Sequence, residues 1–166
     1  TRLGHILEMI ESLYGPRDKS WTILGVEFSP SPPHLLYKES NDYIIIRLSM
    51  KAVDNELQAV FQLAHEAVHL LSPSKTRHGI LMEEGLATLF SQLYLTDTYD
   101  ITPELHEERY IKSQKEVLAL LTEYPDAVRR LRAIEPAFHK MTPATFDKAG
   151  LSYPKEKIDI LLSSLD

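Results

Sequence analysis

The chain has 166 residues, a net charge of −6 and no cysteine. That length is enough to bury a core without covalent staples. The missing thiols exclude disulfides, thiolate metal sites and cysteine nucleophiles, so a metal would have to be held by His, Asp or Glu. The acidic balance argues against nucleic acid as a partner, and no apolar run reaches the ~18 residues of a membrane-spanning helix. Arg129, Arg130 and Arg132 form the densest basic cluster and read as a solvated helix face. No charged-then-apolar leader follows Thr1, which gives the expectation of a cytoplasmic location.

Leu3, Ile6, Leu7, Ile10 and Leu13 recur at helical spacing up to Gly15-Pro16, which predicts an amphipathic first helix. The β-branched and aromatic stretch Trp21 to Phe28 predicts a strand, closed by Ser29-Pro30-Ser31-Pro32-Pro33. His34 to Lys38 and Tyr43 to Leu48 flank Ser40-Asn41-Asp42 and predict a hairpin, hence a small antiparallel sheet near the N-terminus. A helix is expected from Asp54 as N-cap to Leu71, stopped by Ser72-Pro73, and a second from about Ile80 to Leu95. Pro103, Pro125, Pro143 and Pro154 suit first helical turns, with Thr102 and Thr142 placed as caps. Strands early, helices late and no long linker predict a single α+β domain over residues 1–166.

His65-Glu66-Ala67-Val68-His69 is an H-E-x-x-H pattern. On a helix, residues four apart share a face, so both imidazoles can point at one metal while Glu66 reaches a water on that metal. Such a water becomes a nucleophile, and the glutamate carries its proton to the leaving group. The helix is apolar around most of its circumference, interrupted by the stripe Gln58, Gln62, His65 and His69. Burying that stripe against apolar groups would be costly, so it is expected to face a polar cleft.

A third protein ligand is needed, with a fourth position left open. Downstream stands Met82-Glu83-Glu84-Gly85-Leu86-Ala87. With this segment the chain resembles the gluzincin metallopeptidases, the thermolysin-like class, over roughly Tyr43 to Leu95. The resemblance implies a zincin-like domain, one Zn2+ ion held by His65, His69 and Glu84, Glu66 as general base, and a peptide or protein as substrate. It also implies that an edge strand before the motif helix holds the peptide, with Tyr43 to Leu48 in that role. Periodicity separately favours Glu84, which shares a polar stripe with Thr88 and Ser91, over Glu83, whose face carries Ala87, Phe90 and Tyr94.

Glu83 is the next candidate ligand, and His78, nine residues after His69, reads as a loop histidine at the cleft rim. Gly85 is expected to let the two helices that share the metal approach closely. Thr88 stands where the resemblance would put an acidic residue supporting a ligand histidine, so that support must come from elsewhere. His106, Arg109 and Tyr110, expected together on one helix, and His139 and Tyr153 are the candidates for an oxyanion donor. A zinc-binding but inactive interaction or regulatory module of the same fold is the alternative to a peptidase.

Overall fold

The computed structural model describes residues 1–38, 42–75 and 79–165. The order is α1 (Arg2–Tyr14), β1 (Thr22–Ser29), β2 (His34–Lys38), β3 (Tyr43–Ser49), α2 (Glu56–His69), α3 (Leu81–Tyr99), α4 (Glu108–Glu123), α5 (Ala127–Ile134), α6 (Pro143–Lys148) and α7 (Lys155–Leu162). Strands early and helices late make it an α+β fold, as the pattern predicted. The Ser40-Asn41 part of the expected turn and the rim histidine His78 lie outside the described residues.

The sheet differs from expectation in two ways. β2 and β3 do pair antiparallel, with Leu35 opposite Ile46, but β1 joins the other side of β3 in parallel, giving a mixed sheet ordered β1-β3-β2. The chain crosses over between β1 and β2, and local turn signals do not reveal which strand β1 pairs with. β3 is therefore central, not an edge: Ile44, Ile46 and Leu48 are buried while Tyr43, Ile45 and Arg47 are half-buried, the period of two of a strand with one face on a core. β2 is the edge that borders the site.

α2 starts one residue later than Asp54 would set it, because Asn55 is the cap, its side-chain oxygen accepting from Gln58 N at 3.0 Å. Val60, Leu63, Ala64, Ala67 and Val68 bury its inner face. Gln62 lines the cleft with Gln58 and His65, as expected, and also ties α2 to the end of β3, accepting from Ser49 N at 2.9 Å and donating to Ser49 Oγ at 2.8 Å. α3 runs a turn beyond the expected end and stops at Asp100 in the left-handed region, φ 57°. Residues 101–107 have no regular structure; Thr102 bonds to Thr96 instead of capping a helix, and α4 begins only at Glu108, so His106 precedes it. Pro143 does open α6, with Thr142 in a capping box, whereas Pro125 lies ahead of α5.

Gly85 has a different neighbour from the one expected. A Cβ there would lie 2.3 Å from the carbonyl oxygen of Ser113 on α4, so the missing side chain brings α3 against α4, not against α2. The C-terminal segment fastens the start of α3: Leu81 N donates to Ser163 O at 2.7 Å and Leu165 N to Gly79 O at 3.2 Å.

Within the arginine cluster Arg129 is exposed and Arg130 half-buried, but Arg132 is not part of a solvated face. Arg132 is 5% exposed, and its guanidinium donates to the carbonyls of Tyr14, Gly15, Pro16, Leu71 and Pro136. Arg129 donates to Ser12 O and Arg130 to Ala149 O and Gly150 O. The triplet cross-links backbone, because a guanidinium's planar fork satisfies several carbonyls at once. Through Leu71, Arg132 holds the chain two residues beyond His69. No helix among the described residues is long and apolar enough to cross a membrane.

Candidate metal centre

His65 and His69 sit one turn apart near the C-terminal end of α2, and Glu83 and Glu84 lie in the first turn of α3. That arrangement suits the charges: carboxylates at a helix N-terminus and an imidazole at a C-terminus both complement the helix dipole. His65 Nε2 donates to Glu84 Oε2 at 3.3 Å, and His69 Nε2 lies 3.7 Å from Glu84 Oε1. The two imidazole rings are 5.3 Å apart between centroids. One donor atom from each of His65, His69 and Glu84 lies within 4.8 Å of the others.

Those spacings suit a shared ion. Two ligands each about 2.1 Å from a tetrahedral metal stand roughly 3.4 Å apart, close to the separations between each histidine and Glu84. The cluster of two nitrogens and a carboxylate can hold a metal ion. Gly79 leaves the room: a Cβ there would come within 2.8 Å of Glu84 Oε1.

Glu83 is brought to the same place in a different role. It is buried, and its Oε1 accepts from His69 Nδ1 at 2.8 Å. A carboxylate on the far nitrogen fixes the tautomer and leaves Nε2 as the ligand atom. This is the histidine support that Thr88 does not supply: the Thr88 hydroxyl donates to its own helix, at Glu84 O. The signal was present in the sequence, since an acid on the face of Ala87, Phe90 and Tyr94 has to find a partner when that face is buried.

The charges couple strongly. For His69, burial acts to lower the pKa, but the Glu84 charge and the Glu83 hydrogen bond outweigh it and raise it to about 10. For Glu84, burial acts upward, but His69 and His65 outweigh it and hold the carboxyl at about 2. Glu66 is 5% exposed; burial pushes its pKa up, against the pull of His69, His65 and His34. It faces two arms of one cleft. The polar arm runs past His34, Tyr37, Ser74, Lys75, His69 and Glu83, and the other arm past Leu57, Phe61, Leu95 and the 101–107 segment. Both include Pro32, Pro33, His65, Glu66 and Tyr110.

The chain matches no protein-family model, no curated protein and no solved structure.

Of the oxyanion-donor candidates, Tyr110 stands edge-on to His65, with ring centroids 5.9 Å apart and planes at 87°. The Arg109 guanidinium lies 4.8 Å from the Tyr110 ring centroid, and both residues line the second arm with His106. His139, exposed in the turn 138–140, and Tyr153, near the start of α7, do not line either arm. His34 and Tyr37 were not candidates. They reach the cleft because β2 is the edge strand, a fact of sheet order that no local pattern carries.

Proposed function

We propose that the chain is a zinc-dependent hydrolase that cleaves peptide bonds in a peptide or protein substrate, a metallopeptidase of the gluzincin kind. One observation carries this reading. Glu66 is buried beside His65 and His69 without being one of the three clustered donors, and it borders the cleft on both sides. A structural metal site has no use for a further buried carboxylate beside its ligands, whereas hydrolysis needs one to handle protons.

His65 and His69 through Nε2 and Glu84 through its carboxylate would hold the ion, with Glu83 orienting His69. Zinc bound there supplies an acidified water and polarises the scissile carbonyl. Two imidazoles with one carboxylate suit zinc chemistry, and the open cleft leaves space for water and substrate. Glu66 takes the proton of the attacking water and returns it to the departing amine. Its burial, which raises the pKa, makes the carboxylate a stronger base toward that water. Tyr110 is the donor this reading assigns to the developing oxyanion. Its phenol is pushed upward by burial and by Glu84, so it keeps its proton at neutral pH. The substrate's backbone is expected along β2, the edge strand, in place of β3.

The test pairs metal analysis with hydrolysis of a mixed peptide library. The purified chain should carry zinc, and Glu66→Gln should keep that zinc while hydrolysis falls by about 10²- to 10⁴-fold. Zinc retained in a wild-type chain that cleaves nothing would favour an inactive binding module. A chain that takes up no metal would end both readings.

A further inference from the structure

We propose that the outer edge of β1 is a self-association surface, where a second copy of this chain pairs its own β1 antiparallel and the two sheets become one across a two-fold axis.

β1 is the sheet edge opposite to β2. Its register sets Val26 beside Ile46 and Phe28 beside Leu48, and residues paired across a pleated sheet put their side chains on the same face. The β3 members of these pairs are buried, whereas Val26 and Phe28 are exposed. The helical cover runs out between the two strands: α2 packs against β3 and β2, and among the described residues no α-helix packs on β1 to that extent. The 50–52 turn lies against β1 instead, and it brings Met50 and then Val53. Leu24, Val26, Phe28, Met50 and Val53 are each 43–53% exposed. Apolar exposure concentrated in this way, and not scattered singly, marks an interaction surface.

Sheet edges are ordinarily blunted by Lys, Pro or a free charge. β1 contains neither Lys nor Pro. Its single charge, Glu27, is held by Arg47 Nε at 2.6 Å, on the face away from Val26 and Phe28. A bulge, another common device, shifts the register between Ile23 and Gly25, but it leaves Gly25 to Ser29 in regular ladder.

The strand is complementary to itself. An antiparallel pair centred on Val26 sets Val26 opposite its copy and Leu24 opposite Phe28, so apolar meets apolar on one face. On the other face Glu27 comes opposite Gly25, where even a Cβ would meet nothing within 4 Å, so the second copy's Glu27–Arg47 pair has room. Centring on Glu27 would oppose two carboxylates and is disfavoured. The five apolar side chains leave on the order of 400 Å² free on each copy. With the backbone of both strands, two copies come near the lower end of a specific interface, about 1,200 Å² in total. The cleft stays open in such a dimer because β2 lies at the far edge, and the pairing is independent of the hydrolase reading.

Sedimentation equilibrium of the full chain tests this. The wild type should contain two chains per particle at micromolar concentration. Val26→Lys sets two ammonium groups against each other at the axis, and one substitution acts on both copies, so association should weaken by about a hundredfold or more. The chain has no cysteine, so Val26→Cys carries a single thiol. A short bis-maleimide should join two Val26→Cys chains covalently and leave Leu118→Cys, exposed on α4, as single chains. A monomeric wild type, a dimer that persists in folded Val26→Lys, or cross-linking no better in Val26→Cys than in Leu118→Cys would overturn the proposal. If Val26→Lys fails to fold by circular dichroism, Leu24→Lys is read in its place, with the same two outcomes.

Discussion

Arg132 and the His65–Glu84 cluster both put charge where water is scarce, yet only one of them is complete. A guanidinium has five N–H donors, and Arg132 directs its three nitrogens to five backbone carbonyls at 2.9–3.2 Å. The cluster on α2 and α3 brings three carboxylates, Glu66, Glu83 and Glu84, to two imidazoles. With all three carboxylates ionised, even two protonated histidines would leave the negative side in excess. An uncompensated buried charge is costly, and a divalent cation is the economical remedy. Burial of charge alone thus does not mark a place that can hold a metal ion; a cluster of ligating groups short of partners of one sign can.

The largest effect that would break this contrast is on metal uptake. Glu84→Ala removes one of three donors and should reduce zinc retained after gel filtration from a single ion per chain to essentially none, measured by elemental analysis. Arg132→Ala should leave zinc stoichiometry intact. Retention of zinc in Glu84→Ala would show that Glu84 is not a ligand and would turn attention to Glu83.

Stability should respond in the opposite sense. Arg132→Ala strands several buried carbonyls, each worth about 1–3 kcal/mol when left without a donor; allowing for partial rehydration, the loss should be about 3 kcal/mol in a urea titration. Arg132→Lys should recover only a fraction, because an ammonium cannot reproduce the fork. The loss should be the same with and without zinc. A destabilisation confined to the zinc-loaded chain would mean that Arg132 acts through the site.

Within the cluster, Glu83 and Glu84 can be separated by size of effect. Glu83→Gln keeps the shape but weakens the acceptor on His69 Nδ1, and zinc affinity should fall by about 10–100-fold, the usual range for such a partner, read by competition with a chromophoric chelator. Glu83→Gln affinity equal to wild type would reduce the 2.8 Å contact to packing.

What could be read from the chain follows the range of each interaction. The i to i+4 spacing of His65 and His69 is set within α2 and the preference for Glu84 within α3, so periodicity was sufficient to bring forward the side chains that cluster. Glu83 could be read only as a fallback ligand, since its partner lies on another helix. Gly85 was read correctly as a point of close approach, but its neighbour Ser113 is 28 residues away, and sequence does not say which helix fills the gap. β1 pairing parallel with β3, and the consequent exposure of β2 to the cleft, depend on a crossover that has no local signature. Arg132 was misread for the same reason: surface-type composition says nothing about carbonyls at positions 14–16 and 71.

The smallest effect concerns the metal-free chain and pH. His69 is raised from its ordinary 6.5 to about 10, so its ion pair stabilises fully below about 6.5 and is lost as pH rises through about 10. Glu84 is lowered from 4.5 to about 2, so its contribution is full above about 4.5 and is lost as pH falls through about 2. Glu66, raised by burial, has the opposite sign and costs stability once pH exceeds 4.5, drawing the optimum toward the acid end. The chelator-treated chain should therefore show its highest melting temperature between about pH 4.5 and 6.5, declining by a few degrees on either side, at roughly 2–4 °C per kcal/mol for a chain of this size. Zinc must compete with the proton on His69, so adding it should raise the melting temperature more at pH 8 than at pH 5. A metal-free profile flat across that range would mean that the pairing between α2 and α3 is not formed without the ion, and that the cluster is assembled by the metal instead of awaiting it.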